Sequence, residues 1–381
     1  MSRNTLNNAT PKRRVAHLSS VHTRYDIRIF VKECRSLAEH GYDVHLYIAD
    51  GKGDEIRDGI TIHDIGKSSG RFQRMLQKPW QLWKAVRRNR ETLIHFHDPE
   101  LIPIALLLHW RGVRVIYDAH EDVPRQILSK HWISTPLRKL VAIAFEWLEN
   151  FAARRFDKVV TATPHIATRF KSIGAQSLNI NNYPVLGELT PPANRPAPTS
   201  DHLSRTICYI GGISRIRCAI EMIAALPLAQ TRLILAGPFQ DQELEAEMRA
   251  MPGWAYVEYA GIVDRAGVRS ILARSKIGMV LFQPLPNHVD ALPNKMFEYM
   301  SAGVPILASD FPLWQQIMKE SGAGRFTSPS DPFSIAQALN EMLNDPAQLE
   351  KMGSAGRASV QDKYNWPKEE LKLLSLYKEL T

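Results

Sequence analysis

Two acids eight positions apart, Asp290 and Glu298, frame the segment of this chain best suited to chemistry. Asp290 lies in a stretch that contains Pro293 and Asn294, and Glu298 lies on the helix the pattern predicts next, ahead of a short apolar strand at 304–308. A loop, a helix N-terminus and a following strand make a place where backbone N–H groups can hold a phosphate and a carboxylate can hold a sugar hydroxyl. Asn294 is a favoured N-cap residue type. Lys295 falls in the first turn, where a positive charge opposes the helix dipole, so its presence points to a bound anion nearby. The plainer reading is a solvated lysine and an exposed helix glutamate.

A second constellation precedes it. Gly211 and Gly212 follow an expected strand at 206–210, and Arg215 and Arg217 come next, at the start of an expected helix over 214–226. Glycines let backbone approach a ligand closely, and two guanidinium groups suit diphosphate oxygens. The competing reading is a strand–turn–helix connection with two surface arginines. In the first half, Asp118, His120, Glu121 and Asp122 follow a strand at 113–117, a place where strand ends gather ligands. Phe96 to Glu100 is a similar strand-end cluster, which either shapes a cleft or caps the following helix through Asp98.

The elements that must position these groups alternate. In the first half, strands are expected at 15–18, 44–48, 92–97, 113–117 and 158–162, with helices at 29–40, 100–110 and 136–156 between them. The second half repeats the alternation, with strands at 206–210, 231–236, 255–259 and 277–282. Such a pattern implies parallel sheets covered on both faces. Residues 183–204 hold five prolines and little apolar periodicity, which reads as a linker. A length of 381 residues accommodates two domains.

Charge is uneven. Residues 1–190 carry 29 Lys and Arg against 19 Asp and Glu, whereas 191–381 carry 19 against 20, so the net +9 of the chain belongs to its first half. An anionic partner for that half follows. Three scattered cysteines supply neither a disulfide framework nor a zinc spacing and suit a reducing cytoplasm. The polar first 14 residues do not form a signal peptide, and the longest apolar run, 101–110, is too short to span a bilayer.

The Asp290–Glu298 spacing, the run ending in Gly303-Val304-Pro305 and the glycine–arginine loop resemble the donor site of retaining glycosyltransferases of family 4 with the GT-B fold. That resemblance implies two Rossmann-like domains: an acceptor-binding domain at 1–186, a linker at 187–204, a nucleotide-sugar domain at 205–362 and a final helix at 363–381 packing back toward the first domain. It assigns Gly212, Arg215, Arg217, Asn294 and Lys295 to the donor and Glu298 to its ribose. It places Asp290 and His120 at the donor sugar. Asp290 stands where the family has Glu, Arg217 where it often has Lys, and Cys218 where it has Gly. The loop at 19–28 lacks the family's Gly-Gly pair and resembles a subset with an Arg-x-Asp-x-Arg pattern, in which Asp26 and Arg28 would hold the acceptor. The implied activity is transfer from a nucleotide-sugar, with UDP expected as the nucleotide, to a glycan hydroxyl without a metal, and the chain has no Asp-x-Asp motif.

The segment 71–90 carries seven positive charges, a tryptophan pair and no acid. It reads as a basic amphipathic anchor on an anionic membrane, or as the solvated face of a crossover helix in which Pro79 marks the start. A lipid-diphosphate-linked acceptor at the cytoplasmic membrane face, in polysaccharide, lipopolysaccharide or O-antigen assembly, accommodates the basic half. Two other functions stay open: a UDP-sugar 2-epimerase on the same fold, and a non-catalytic protein that binds anions or nucleic acid through the basic half. Nucleic acid is not the expected partner, because the aromatics are not interleaved in a binding module.

Overall fold

The computed structural model describes residues 13–67, 69–70, 73–128, 134–190 and 205–381. Residues 191–204 of the expected linker and Arg71 of the basic segment lie outside these. The chain divides into two compact units: one ends at Asn182 and takes in Glu369–Thr381, and the other is Tyr183–Lys368. Tyr183 and Leu189 are buried in the apolar core of the second unit, so the proline-broken stretch is already core-packed before residue 190.

The first unit holds strands β1 (Arg14–Leu18), β2 (Asp43–Ile48), β3 (Glu55–Arg57), β4 (Ile60–Asp64), β5 (Leu93–Phe96), β6 (Arg114–Ala119), β7 (Lys158–Thr161) and β8 (Ser177–Asn179). Their order is β3-β4-β2-β1-β5-β6-β7-β8. All neighbours are parallel except β3 and β4. That pair closes through Asp58 and Gly59, both at positive φ (52° and 75°), the conformation an Asp-Gly hairpin turn requires. The central strands read as continuous apolar runs because helices cover both sheet faces. Helices Lys78–Arg88, Ile102–His109, Thr135–Ala153 and Pro164–Ser172 contribute to one core with β1, β5, β6 and β7. Helix Ile27–Cys34 and its continuation Arg35–Glu39 start at Asp26, whose carboxylate accepts from the amides of Arg28 and Ile29. Within the same unit, Tyr377 Oη lies 2.9 Å from both His17 Nε2 and His95 Nδ1.

The second unit holds β9 (Thr206–Ile210), β10 (Arg232–Ala236), β11 (Val257–Gly261), β12 (Ile277–Val280), β13 (Ile306–Ser309) and β14 (Gly324–Thr327), all parallel, in the order β11-β10-β9-β12-β13-β14. β9 is central, so the loop that leaves its carboxyl end opens at a switch in strand order. The helix expected from residue 214 begins later. Arg215–Arg217 form one tight turn, Cys218 turns left-handed at φ 54°, and the helix proper is Ala219–Ala229. Cys218 thus takes the backbone conformation in which glycine is ordinarily found. Its side chain is fully buried, and burial pushes its thiol up to about 12.

Candidate functional site

Two cations sit inside the loop after β9. Arg217 Nη1 donates to the carbonyl of Gly212 at 2.9 Å, and Tyr209 Oη donates to the same oxygen at 2.7 Å. Lys295 runs under this loop from the first turn of helix Asn294–Ala302. Part of the lysine remains accessible, but Nζ is shielded from solvent and meets no hydrogen-bond acceptor; it rests 3.6 Å above the Tyr209 ring. Burial and then the charge of Arg217 hold its pKa well below the ordinary lysine value, with Glu298 pulling the other way. The two glycines are sized to these cations. A Cβ on Gly212 would stand 2.5 Å from Arg217 Nη1, and one on Gly211 would stand 3.0 Å from Lys295 Nζ.

Positive charge held together, dry and unmatched is costly unless an anion completes it. No side chain caps helix Asn294–Ala302, whose N-cap position is Pro293. Asn294 is therefore not the cap but the first helical residue, and it is exposed. The helix bond from Met296 N to Pro293 O starts the turn one residue earlier than the side-chain types suggest. Arg215 departs from its expected place as well. The tight turn sends it outward into an exposed ion pair with Glu247, so only Arg217 of the two arginines joins Lys295.

Glu298 is mostly buried and accepts from Arg265 Nη1 at 2.7 Å. The rest of that guanidinium clasps Glu188 at 2.6 and 2.8 Å. Arg265 and Glu188 were not legible as site residues, because they come from two other segments of the chain. Asp290 closes the short helix Pro286–Val289 and is partly exposed, four residues ahead of the helix that carries Lys295 and Glu298.

The strand-end cluster of the first unit is differently built. Arg28 is buried; its Nε and Nη2 bind both oxygens of Asp118 at 2.8 and 2.9 Å, and Nη1 donates to the Ile180 carbonyl at 3.0 Å. Glu33 Oε1 stands 3.1 Å from Arg28 Nε. Burial, and then the charge of Asp118, push the Glu33 carboxyl well up, while the charge of Arg28 pulls it the other way. His17, Glu33, His95 and His97 place four ligand-type atoms within 4.8 Å of one another. Burial also draws His97 down to about 4, so its 3.2 Å contact with Asp118 is a hydrogen bond from a neutral imidazole to the carboxylate rather than an ion pair. Arg28, expected at the acceptor, is thus committed to the interior, and Asp26 caps the helix it was expected to precede.

His120 keeps a share of surface. Its Nε2 lies 3.0 Å from Asp118 Oδ2 and 3.2 Å from His97 Nδ1. A carboxylate only accepts, so Asp118 assigns the hydrogen to Nε2 and turns Nδ1 to face away from it. Asp98 does not cap the following helix. It takes Ser19 Oγ at 2.8 Å and the Ser20 amide at 2.6 Å instead, and so folds the loop that ends at Asp26.

Two doubly wound parallel-sheet units with such a loop after a central strand are the parts of a GT-B glycosyltransferase. Residues 28–181 match the family model of the glycosyl transferase 4-like domain, and 204–345 match that of glycosyl transferases group 1. The chain belongs to this glycosyltransferase family. It is 21% identical over 287 residues to a glycogen synthase of Mycobacterium tuberculosis, covering 73% of this chain and 66% of that protein. It is 21% identical over 182 residues to a phosphatidyl-myo-inositol mannosyltransferase of Mycobacterium leprae, covering 46% of each. The fold matches sucrose-phosphate synthase from Thermosynechococcus elongatus with a TM-score of 0.79 at 17% identity, over 97% of this chain and 99% of that one. It matches Anabaena HepE, solved in complex with UDP-glucose, with a TM-score of 0.71 at 14% identity, over 96% and 99%.

Proposed function

We propose that this chain transfers a sugar, with retention of configuration, from a UDP-sugar to a hydroxyl of a lipid-linked glycan during polysaccharide or O-antigen assembly. The observation that carries the donor reading is the Lys295 ammonium, dry and without an acceptor, beside Arg217. A diphosphate supplies the missing negative charge. When the bond between the sugar and the diphosphate breaks, its electron pair goes to the diphosphate, and Arg217, Lys295 and the open helix end stabilise that charge, the part a metal ion plays elsewhere. Glu298, steadied by Arg265, takes the ribose hydroxyls. Asp290 and His120 are assigned to the donor sugar. The UDP-glucose bound by the Anabaena protein supports this choice of donor class.

The acceptor reading rests on the first unit. Asp26 and its 3.3 Å neighbour His22 are the partly exposed side chains of the loop at 19–28 that face an acceptor, whereas Arg28 supports the loop from within. In the basic segment, Lys78 is buried against the Ile65 carbonyl and Arg74 meets Glu100, which leaves Lys84, Arg87, Arg88 and Arg90 exposed with Trp80. That remainder suits anionic lipid, and the name of the mannosyltransferase relative contains a lipid acceptor. Among the described residues no helix is long and apolar enough to cross a membrane.

A thermal-shift screen of nucleotide-sugars, followed by product analysis with a lipid-linked acceptor, tests the proposal. A UDP-sugar should raise the melting temperature and yield an extended glycan. Absence of any stabilising nucleotide-sugar contradicts the donor reading. Conversion of the donor to an epimer without acceptor would establish the epimerase instead.

A further inference from the structure

The helix Thr135–Ala153 is inside out. Its solvent side is mostly apolar, unlike that of an ordinary surface helix. Ala142, Glu149, Ala152 and Ala153 point inward. The opposite arc exposes Leu137, Leu140, Val141, Ile143 and Trp147, spaced along one face of successive turns. Leu140, Ile143 and Trp147 are 64%, 65% and 69% exposed, and Trp147 stacks on Phe151 at 5.6 Å between ring centres. No other element of the described chain covers this arc. An apolar face of this kind marks a surface that works against something other than water.

The surrounding charge says what that is. Arg138 and Lys139 sit in the helix's first turns and Arg154 and Arg155 follow its end, against one exposed acid, Glu146. The second acid, Glu149, is buried on Tyr117 and Arg169. The helix packs beside Ile102–His109, which in turn packs beside Lys78–Arg88, so one helical layer carries this arc together with the exposed Trp80, Lys84, Arg87 and Arg88. Apolar side chains with a basic surround are the composition of a helix that lies flat at the boundary between headgroups and acyl chains.

We propose that the outward arc of helix Thr135–Ala153 inserts into the surface of an anionic lipid bilayer and is the apolar half of a docking face whose basic half is the helix Lys78–Arg88. The basic residues bring the protein to the membrane; Leu140, Ile143 and Trp147 keep it there. The inference deepens the reading of a lipid-linked acceptor and rests on it for the choice of membrane, yet its test does not depend on sugar transfer.

The full chain is floated with vesicles of phosphatidylglycerol and phosphatidylcholine, beside a variant carrying Leu140→Ser, Ile143→Ser and Trp147→Ser. All three positions are exposed, so an unchanged melting temperature is expected to certify the variant's fold. The wild type should float with the vesicles and the variant's partition coefficient should drop by at least about a hundredfold, since the burial of two of the three large apolar side chains already reaches that scale. Equal flotation of the two proteins overturns the proposal. So does a wild type that sediments as a dimer and becomes monomeric in the variant, because the arc is then an interface between copies. A wild type that binds UDP-sugar but ignores vesicles overturns the docking face alone; one that floats but binds no nucleotide-sugar overturns the donor reading alone.

Discussion

The two strand-end clusters of this chain contain similar residue types and treat charge in opposite ways. In the first unit the buried Arg28 is met by both oxygens of Asp118, so its charge has a partner within the fold. In the second unit Lys295 and Arg217 meet in one loop with no acceptor for the ammonium, and the carboxylate on the lysine's own helix, Glu298, is bound to Arg265. A complete ion pair shapes a scaffold. An incomplete one stores a demand for a ligand, and the cost of that demand is borne by the unligated protein.

The two clusters should differ most in stability. Arg28→Met leaves Asp118 buried without its ion-pair partner, and unfolding in urea should show a loss of about 3–5 kcal/mol. A loss below about 1 kcal/mol would mean that the first cluster is not a closed pair. Lys295→Met should act with the opposite sign: it removes an unmatched charge and raises the stability of the unligated protein by about 1–3 kcal/mol, the cost of an unsatisfied buried group. The same change should weaken donor binding by about 2–5 kcal/mol, as when one partner of a buried charged contact is truncated.

Smaller effects sharpen the picture. Arg217→Ala should cost about 1.5–3 kcal/mol of donor affinity, the range for a charged hydrogen bond. Arg215→Ala should leave titrations with donor unchanged, since its partner is the surface Glu247. Equal losses from the two variants would return Arg215 to the site. The smallest effect is a slope. The folded pKa of Lys295 lies well below its ordinary 10.5, so between the two values the unfolded chain binds a proton that the folded chain does not. Unligated stability should therefore rise with pH across that window and level off above it, relative to Lys295→Met. Saturating donor, which favours the ammonium, should flatten the difference. A difference that falls with rising pH would contradict the burial of this charge.

Much of the fold was legible because parallel strands buried on both faces read as apolar runs; β1, β2, β5, β6, β7, β9 and β10 lie where those runs lie. The β3–β4 hairpin was missed although its Asp58-Gly59 turn is a strong local signal, since its strands are short and half polar. In the candidate site, type and spacing singled out Gly211, Gly212, Arg217 and Lys295, and the family resemblance assigned Glu298. What spacing could not say was direction. Arg215 and Arg217 are two residues apart, and the tight turn closed by left-handed Cys218 decides that one faces Glu247 and the other Gly212. Nor could local sequence show that Lys295 is dry, because the ring beneath it, Tyr209, comes from a strand some 85 residues earlier. Arg28 and Asp26 read as ligand residues for the same reason: nothing near them in sequence reveals Asp118 as the partner of one, or the helix amides as partners of the other.

The central claim is that Lys295 and Arg217 wait for a diphosphate and hold it without a metal. Calorimetric titration of UDP in the presence of EDTA, into the wild type and into Lys295→Met, tests it most directly. The wild type should bind, and the variant, though folded and more stable, should bind at least about thirtyfold more weakly, the equivalent of about 2 kcal/mol. Equal affinities, or binding by the wild type that disappears with EDTA, would contradict it.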